Sequence, residues 1–396
     1  MAVVVALVVA AYLVVALVRT VGDAAVVPVP VSATFPGPPQ GPAWPAQGEA
    51  AVGVEGVGLI GVHGSSRPTP IASVAKVMTA YLVLGDHPLR AGASGPQITV
   101  RPADVAVYRA DKAAGQSVVA VRAGERLTER QALEGLLLPS GNNIATLLAR
   151  WDAGSTPAFV ARMNALARKL GLAHTHYADA SGARSATVST AEDQTRLAMR
   201  ALAIPVLRQI VATAQVTLPV AGRQYNVDAL LGKDGIVGVK TGSTSKAGGC
   251  FVFAGHELLA GRTVTVVGAV LHQLATRAQP SIIQAVFHAS TTLLASARHS
   301  VVKVQAIRRG ATLARVKVSW GDQVAVRAAG SVTLIGWRDL GITESIATGR
   351  HLALPVRRGQ RVGTVVVTAG EQRATIRLVA SRAVAGASLG WRLTHP

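Results

Sequence analysis

Two side chains three residues apart, Ser73 and Lys76, are where this chain's chemistry can begin. On a helix such a pair shares one face, with Cβ atoms about 5–6 Å apart. A serine hydroxyl is a weak nucleophile until a neighbouring base takes its proton. Lysine can be that base only where burial or a nearby cation pushes it toward the neutral form. Alone, the pair is a weak signal and reads more readily as two surface residues. Two later stretches change that balance: Ser140-Gly141-Asn142 supplies a hydroxyl and an amide, and Lys240-Thr241-Gly242 supplies a second ammonium.

Local signals place these groups on elements. Pro68 and Pro70 precede an apolar helical pattern that carries Ser73 and Lys76 and runs on through Leu84. Thr128 is an N-cap for a helix over 131–138 that Pro139 stops, and a second helix follows over 144–151. Ser140 therefore either faces a cleft from the corner between them or merely caps the second. Thr156 and Pro157 open a helix to Leu170 with Gly171 as its C-cap, and Ser189-Thr190 start another to about Ala203. The period then becomes two. Strands are predicted over 216–220, 236–241, 249–254 and 264–271, with a polar turn over 242–248 and a long helix over 278–297.

Composition bounds the rest. The 396 residues are 49% hydrophobic, which excludes a disordered chain and allows more than one domain. Forty Lys plus Arg against twenty Asp plus Glu give a formal net charge of +20, so an anionic partner or surface is expected. Aromatics are only 4% and the basic residues are dispersed, which argues against nucleic acid. The lone Cys250 excludes an intrachain disulfide and zinc-type spacing; it reads as a small buried hydrophobe. His174, His176 and Asp179 form only a weak metal pattern. Gly56, Gly58 and Gly61 match a dinucleotide fingerprint, but Gly64, Pro68 and Pro70 follow where a helix is required, so a strand or hairpin is predicted instead.

The flanks differ from the middle. Residues 2–18 are continuously apolar, as in an export signal or membrane anchor, with a passable cleavage site at Gly22-Asp23-Ala24. Arg19, the one flanking charge, follows the segment and works against exporting what comes after it. Seven prolines between Pro28 and Pro45 suggest an extended spacer. Beyond Ser300 only strands are predicted, over 301–306, 312–318, 324–326, 333–335, 352–355, 364–368 and 375–379, as a separate sandwich-like module. That module has 15 Lys plus Arg against 4 Asp plus Glu, and is expected to hold the protein near an acidic surface. The domain boundaries expected are 1–24 signal or anchor, 25–45 linker, 46–299 catalytic, and 300–396 basic β domain.

From about Trp44 to Ala297 the chain resembles the serine-type D-alanyl-D-alanine carboxypeptidases among the low-molecular-mass penicillin-binding proteins. The three motifs stand in the family's order. His176-Tyr177-Ala178-Asp179-Ala180-Ser181-Gly182 before Ser189 to Asp193, and Tyr225-Asn226 with Leu230-Leu231 before Gly235 to Gly242 and Ala247 to Cys250, are similar to its intervening runs. The resemblance implies an α/β fold, with an antiparallel sheet flanked by helices as in the serine β-lactamases, followed by a small all-β domain. It implies an extracytoplasmic enzyme that removes the terminal D-alanine of peptidoglycan stem peptides without a cofactor and is acylated by β-lactams.

Ser73 would be the nucleophile, Lys76 its base, depressed by Lys240, and Ser140 the relay to the leaving amine. Asn142 would bind the peptide amide, and Lys240 with Thr241 the terminal carboxylate. Gly242 would leave room for substrate, and the backbone N–H groups of Ser73 and Ser243 would form the oxyanion hole. Two other readings remain: a serine β-lactamase, disfavoured because 151–189 holds no glutamate, and a non-catalytic wall-peptide-binding protein. The family's common C-terminal amphipathic helix has no counterpart in 381–396, so membrane attachment would fall to the N-terminal segment.

Overall fold

A computed structural model describes residues 1–18, 24–29, 33–37, 41–321, 323–348 and 352–395. Arg19, the cleavage-site residues Gly22 and Asp23, and Pro30, Pro38 and Pro39 lie outside the described residues. The chain forms two compact units, Pro38–Ser300 and Met1–Gly37 with Val301–Pro396.

The first unit is built on a five-stranded antiparallel sheet. Its strands are β1 (Glu49–Val54), β2 (Gly58–His63), β3 (Ile236–Thr244), β4 (Gly248–Leu259) and β5 (Arg262–Gln273), in the order β3-β4-β5-β1-β2. Every residue of β1 is buried, which requires cover on both faces because successive side chains point opposite ways. On one face lie α1 (Lys76–Asp86), α2 (Glu129–Leu137), α3 (Asn142–Ala153) and α4 (Ala191–Leu202). There Thr195 of α4 donates to the Ala51 carbonyl at 3.3 Å. The other face takes α5 (Ile282–Ser300), whose Phe287 meets Phe251 edge-on at 5.4 Å. Gly249 lets α5 approach this closely, since a Cβ there would sit 2.1 Å from the Ile282 carbonyl.

Several expectations hold at the level of single residues. Thr128 caps α2 through a reciprocal capping box with Gln131. Cys250 is fully buried, which pushes its thiol up to about 12. The G-x-G-x-x-G stretch is the hairpin of β1 and β2. The helix Pro102–Ala113 was not anticipated, because the loop signals before Pro102 masked its start, where the Arg101 backbone N–H donates to Asp104 Oδ2 at 2.7 Å.

Among its described residues, the second unit is all-β apart from two peripheral helices. Its seven-stranded sheet runs Ala25–Pro28, Thr312–Lys317, Val324–Ala328, Gln372–Ala380, Arg361–Ala369, Gly341–Thr348, Ala33–Thr34. A two-stranded ribbon, Val302–Ile307 with Val332–Gly336, adds to it. Two corrections follow. Residues 25–37 are not an extended spacer throughout: two pieces pair as edge strands, because Ala25 to Val27 and Ala33-Thr34 can complete ladders that Thr312–Lys317 and Gly341–Thr348 leave open. The strand expected over 352–355 reduces to isolated bridges at Leu352 and Val356 around Pro355, while Gly341–Thr348 was missed.

The apolar N-terminal stretch is a 17-residue helix, Ala2–Val18. It rests on the short helix Leu389–Thr394, where the Tyr12 hydroxyl donates to the Leu393 carbonyl at 2.5 Å. Among the described residues, no helix is long and apolar enough to cross a membrane.

Candidate active site

Residues 71–80 are buried except for Ser73, so the hydroxyl is the one reachable group of that stretch. Ser73 lies in a single 3₁₀ turn, Ala72–Ala75, that leads directly into α1. Ala72 holds a left-handed φ of 47°, a conformation costly to a residue with a Cβ. Gly182 explains how close the packing is here. A Cβ on it would lie 1.8 Å from the Ala72 carbonyl oxygen, and its own φ is +81°.

Lys76 is fully buried and its Nζ lies 2.7 Å from Ser73 Oγ. It donates to Asn142 Oδ1 at 2.5 Å and to the Ser181 carbonyl at 3.1 Å. Both of those partners can only accept. A neutral amine has two N–H bonds and one lone pair, so these two acceptors leave the lone pair facing the Ser73 hydroxyl. Burial holds Lys76 well below its ordinary value, with the Lys240 ammonium as the second cause. Lys240, the cation expected to depress it, thus contributes but ranks behind burial.

Asn142 opens α3, and its Nδ2 donates to Gln116 Oε1 at 2.7 Å, which fixes Oδ1 toward Lys76. The amide expected to bind substrate is thus already committed to orienting the lysine. Ser140 does not cap α3; Gly141 occupies that position. Ser140 instead has φ 67°, and its buried Oγ has no hydrogen-bond partner among the described residues. The corner is rigid, because the Asn142 N–H donates to the Ser117 carbonyl at 2.8 Å and Asn143 brackets Val119 through both its side-chain atoms.

The third group comes from β3, the edge strand. Lys240 pairs with Val252 and Gly242 with Cys250, which puts both on the face that carries α1 and α4. Thr241 pairs with Phe251 and alternates to the other side; its carbonyl accepts from Lys240 Nζ at 2.9 Å. Gly242, expected to leave room for substrate, has a packing role in the structure. A Cβ there would lie 2.9 Å from the Ser73 nitrogen and 3.0 Å from that of Val74, so glycine lets the strand edge touch the nucleophile turn. Ser243 follows on the same edge, paired with Gly249.

Four contributors escaped the sequence reading. Gln116 has no local signal at all. Asp179 accepts from the Ser181 N–H and hydroxyl and from the Ala183 N–H, and so holds the Ser181 carbonyl on Lys76. Thr187 bonds its other oxygen at 2.5 Å. Asp179 and Ser181 stood within the recognised 176–182 run, without a role. Asp228 is buried, pushed up to about 6 chiefly by burial, and acts electrostatically on Lys240. Burial brings Lys240 down to about 7, and Asp228 opposes that.

A serine bonded to a lysine whose charged form is disfavoured by burial, with a second buried lysine near it, is a site for acyl transfer through a covalent serine ester. Fold and site therefore define the class of Ser-x-x-Lys acyl-transferring hydrolases. Comparison with known proteins narrows it. Residues 60–270 match peptidase family S11, D-alanyl-D-alanine carboxypeptidase. A D-alanyl-D-alanine carboxypeptidase of Streptomyces sp. (strain K15) is 32% identical over 226 residues, covering 53% of this chain and 74% of that one. A D-alanyl-D-alanine endopeptidase of Pseudomonas aeruginosa is 35% identical over 190 residues, covering 46% of this chain and 58% of that one. Penicillin-binding protein 5 of Haemophilus influenzae shares the fold, with a TM-score of 0.60 at 20% identity over 89% of this chain and all of that one. The chain belongs to the D-alanyl-D-alanine carboxypeptidase family.

Proposed function

We propose that this enzyme removes the terminal D-alanine of peptidoglycan stem peptides through an acyl-enzyme on Ser73. The observation that carries this reading is the contact of Ser73 Oγ with Lys76 Nζ, whose other two bonds end on carbonyl oxygens. Ser73 Oγ attacks the carbonyl carbon of the penultimate D-alanine while its proton passes to Lys76. The N–H groups of Ser73 and Ser243 hold the resulting oxyanion, where loss of one such donor costs about 2.7–4 kcal/mol. As the C–N bond breaks, Ser140 Oγ relays that proton from Lys76 to the departing amine. Water then attacks the ester with Lys76 again as base, and the shortened peptide leaves.

Lys240 supplies the positive charge for the terminal carboxylate, with Thr241 beside it at the strand edge. Asn142 orients Lys76. A β-lactam enters by the same attack on its ring carbonyl and leaves Ser73 acylated. Mass spectrometry of products from a pentapeptide ending in D-Ala-D-Ala tests the reaction. Loss of one alanine supports it; a cross-linked product only, or no reaction, overturns it. The reaction belongs outside the cytoplasmic membrane, and the apolar helix Ala2–Val18 serves as export signal or attachment. Finding the full-length chain in the cytosol after fractionation contradicts that location.

A further inference from the structure

Strand register in the second unit sorts its side chains onto two faces. Cross-strand partners share a face, and so do residues two apart on a strand. Arg315 pairs with Ala325 and Thr312 with Arg327. Arg327 pairs with Val379, two residues from Arg377, which pairs with Thr364, and Arg373 pairs with Thr368. Arg315, Lys317, Arg327, Arg377 and Arg373 therefore all stand on one outward face, and all five are exposed. They fall along a diagonal across three strands. Strand spacing and rise put Arg315, Arg327 and Arg377 about 8 Å apart from one to the next.

No carboxylate among the described residues stands on this face. Among the described residues, none of the five side chains makes an ion pair or a hydrogen bond. Glu344 pairs with Val367 and so begins on the buried side, and Glu371 lies in the hairpin turn beyond Ala369. The remaining outward positions are one further exposed cation, Arg361, which pairs with Val379, hydroxyls such as Thr343, Ser345, Thr364 and Thr375, and the half-buried Val366 and Val379. Of the larger apolar side chains only Val27, at the sheet's edge, is well exposed there.

We infer that this sheet face is a docking surface for a linear phosphodiester polyanion of the cell wall. Guanidinium groups match phosphate in a two-pronged geometry. A diagonal row on a twisted sheet suits a chain that crosses it. A bilayer surface fits less well, because peripheral membrane attachment draws on apolar side chains that enter the lipid, and this face offers almost none. The inference stands apart from the proposed reaction, since none of the five lies in the unit that holds Ser73.

Long-chain inorganic polyphosphate is the probe. The full chain carrying Arg315→Gln, Arg327→Gln and Arg377→Gln is compared with one carrying Arg308→Gln, Arg309→Gln and Arg358→Gln, which has the same net charge but alters turns off the row. Thermal unfolding of the full chain, followed by near-ultraviolet circular dichroism of the second unit's tryptophans Trp320, Trp337 and Trp391, verifies that this unit remains folded in both. The first is expected to bind polyphosphate at least about 10-fold more weakly, with a salt slope flatter by about 2; the second is expected to change by less than about twofold. Equal losses in the two would mean diffuse charge and overturn the inference. It is equally overturned if the row governs binding to vesicles of phosphatidylglycerol and phosphatidylcholine while polyphosphate binding is unaffected.

Discussion

At the scale of residues, Lys76 and Lys240 must hold opposite charge states for the site to work. Lys76 must be neutral to take a proton, and Lys240 must be cationic to meet a carboxylate. Burial lowers both, Lys76 well below its ordinary value and Lys240 to about 7. For a peptide substrate, kcat/KM should rise as Lys76 loses its proton and fall as Lys240 loses its own, with the falling limb near pH 7. A substrate with an amidated C-terminus should lose that falling limb, and a pH profile with both substrates checks it. Replacing Lys76 by Gln should slow acylation by about 10²–10⁴-fold. Ser73→Ala should abolish penicillin labelling altogether, and mass spectrometry of the labelled protein would expose any other serine that reacts. The three motifs were legible because each concentrates unusual chemistry in three or four consecutive residues. Gln116 was not, because an amide acting from a loop 26 positions before Asn142 leaves no trace in either's neighbourhood. The priority of burial over Lys240 in setting Lys76 was hidden for a similar reason: it depends on the whole shell around α1.

Elements explain why the site survives its own strain. The nucleophile turn, with Ala72 in a left-handed conformation, is clamped between the strand edge at Gly242 and the loop at Gly182. Gly242→Ala should cost about 1–3 kcal/mol of stability by overpacking and should slow acylation in the protein that remains folded. Thermal unfolding with single-turnover acylation checks both parts. Elsewhere the helical layer carries a titratable burden. Glu129, at the start of α2, is fully buried with neither carboxyl oxygen bonded among the described residues, and burial raises it to about 7. A carboxyl raised in the folded state contributes stability fully below its unfolded value and loses it as pH rises through about 7. Glu129→Gln should therefore raise Tm at about pH 8 and leave it nearly unchanged at about pH 4. An equal shift at both would remove the charge from the explanation. The periodicity of the sequence located α2 and its cap, yet not this cost, because a first-turn glutamate is ordinarily exposed and favourable there.

On the scale of the whole molecule, the second unit is assembled from both ends of the chain. The strands Ala25–Pro28 and Ala33–Thr34 lie at its two sheet edges, and Phe35, fully buried, joins its core. Proline frequency suggested a spacer there because it reports the lack of helix; it says nothing of which distant strand a short extended piece will join. This arrangement makes truncation asymmetric. A fragment of residues 41–300 should fold and be labelled by penicillin at close to the full-length rate, since it keeps the sheet, α1 to α5 and all the motif residues. A fragment of residues 24–300 adds two strands and a phenylalanine whose partners are gone. Exposing that ring forfeits about 1.5–3 kcal/mol of burial, and the unpaired strands are templates for association. It should label normally but elute as larger, concentration-dependent species, and extension to residue 395 should restore a single small species. If the 24–300 fragment runs as a sharp monomer at the concentrations where 41–300 does, residues 25–37 contribute nothing to the second unit's sheet.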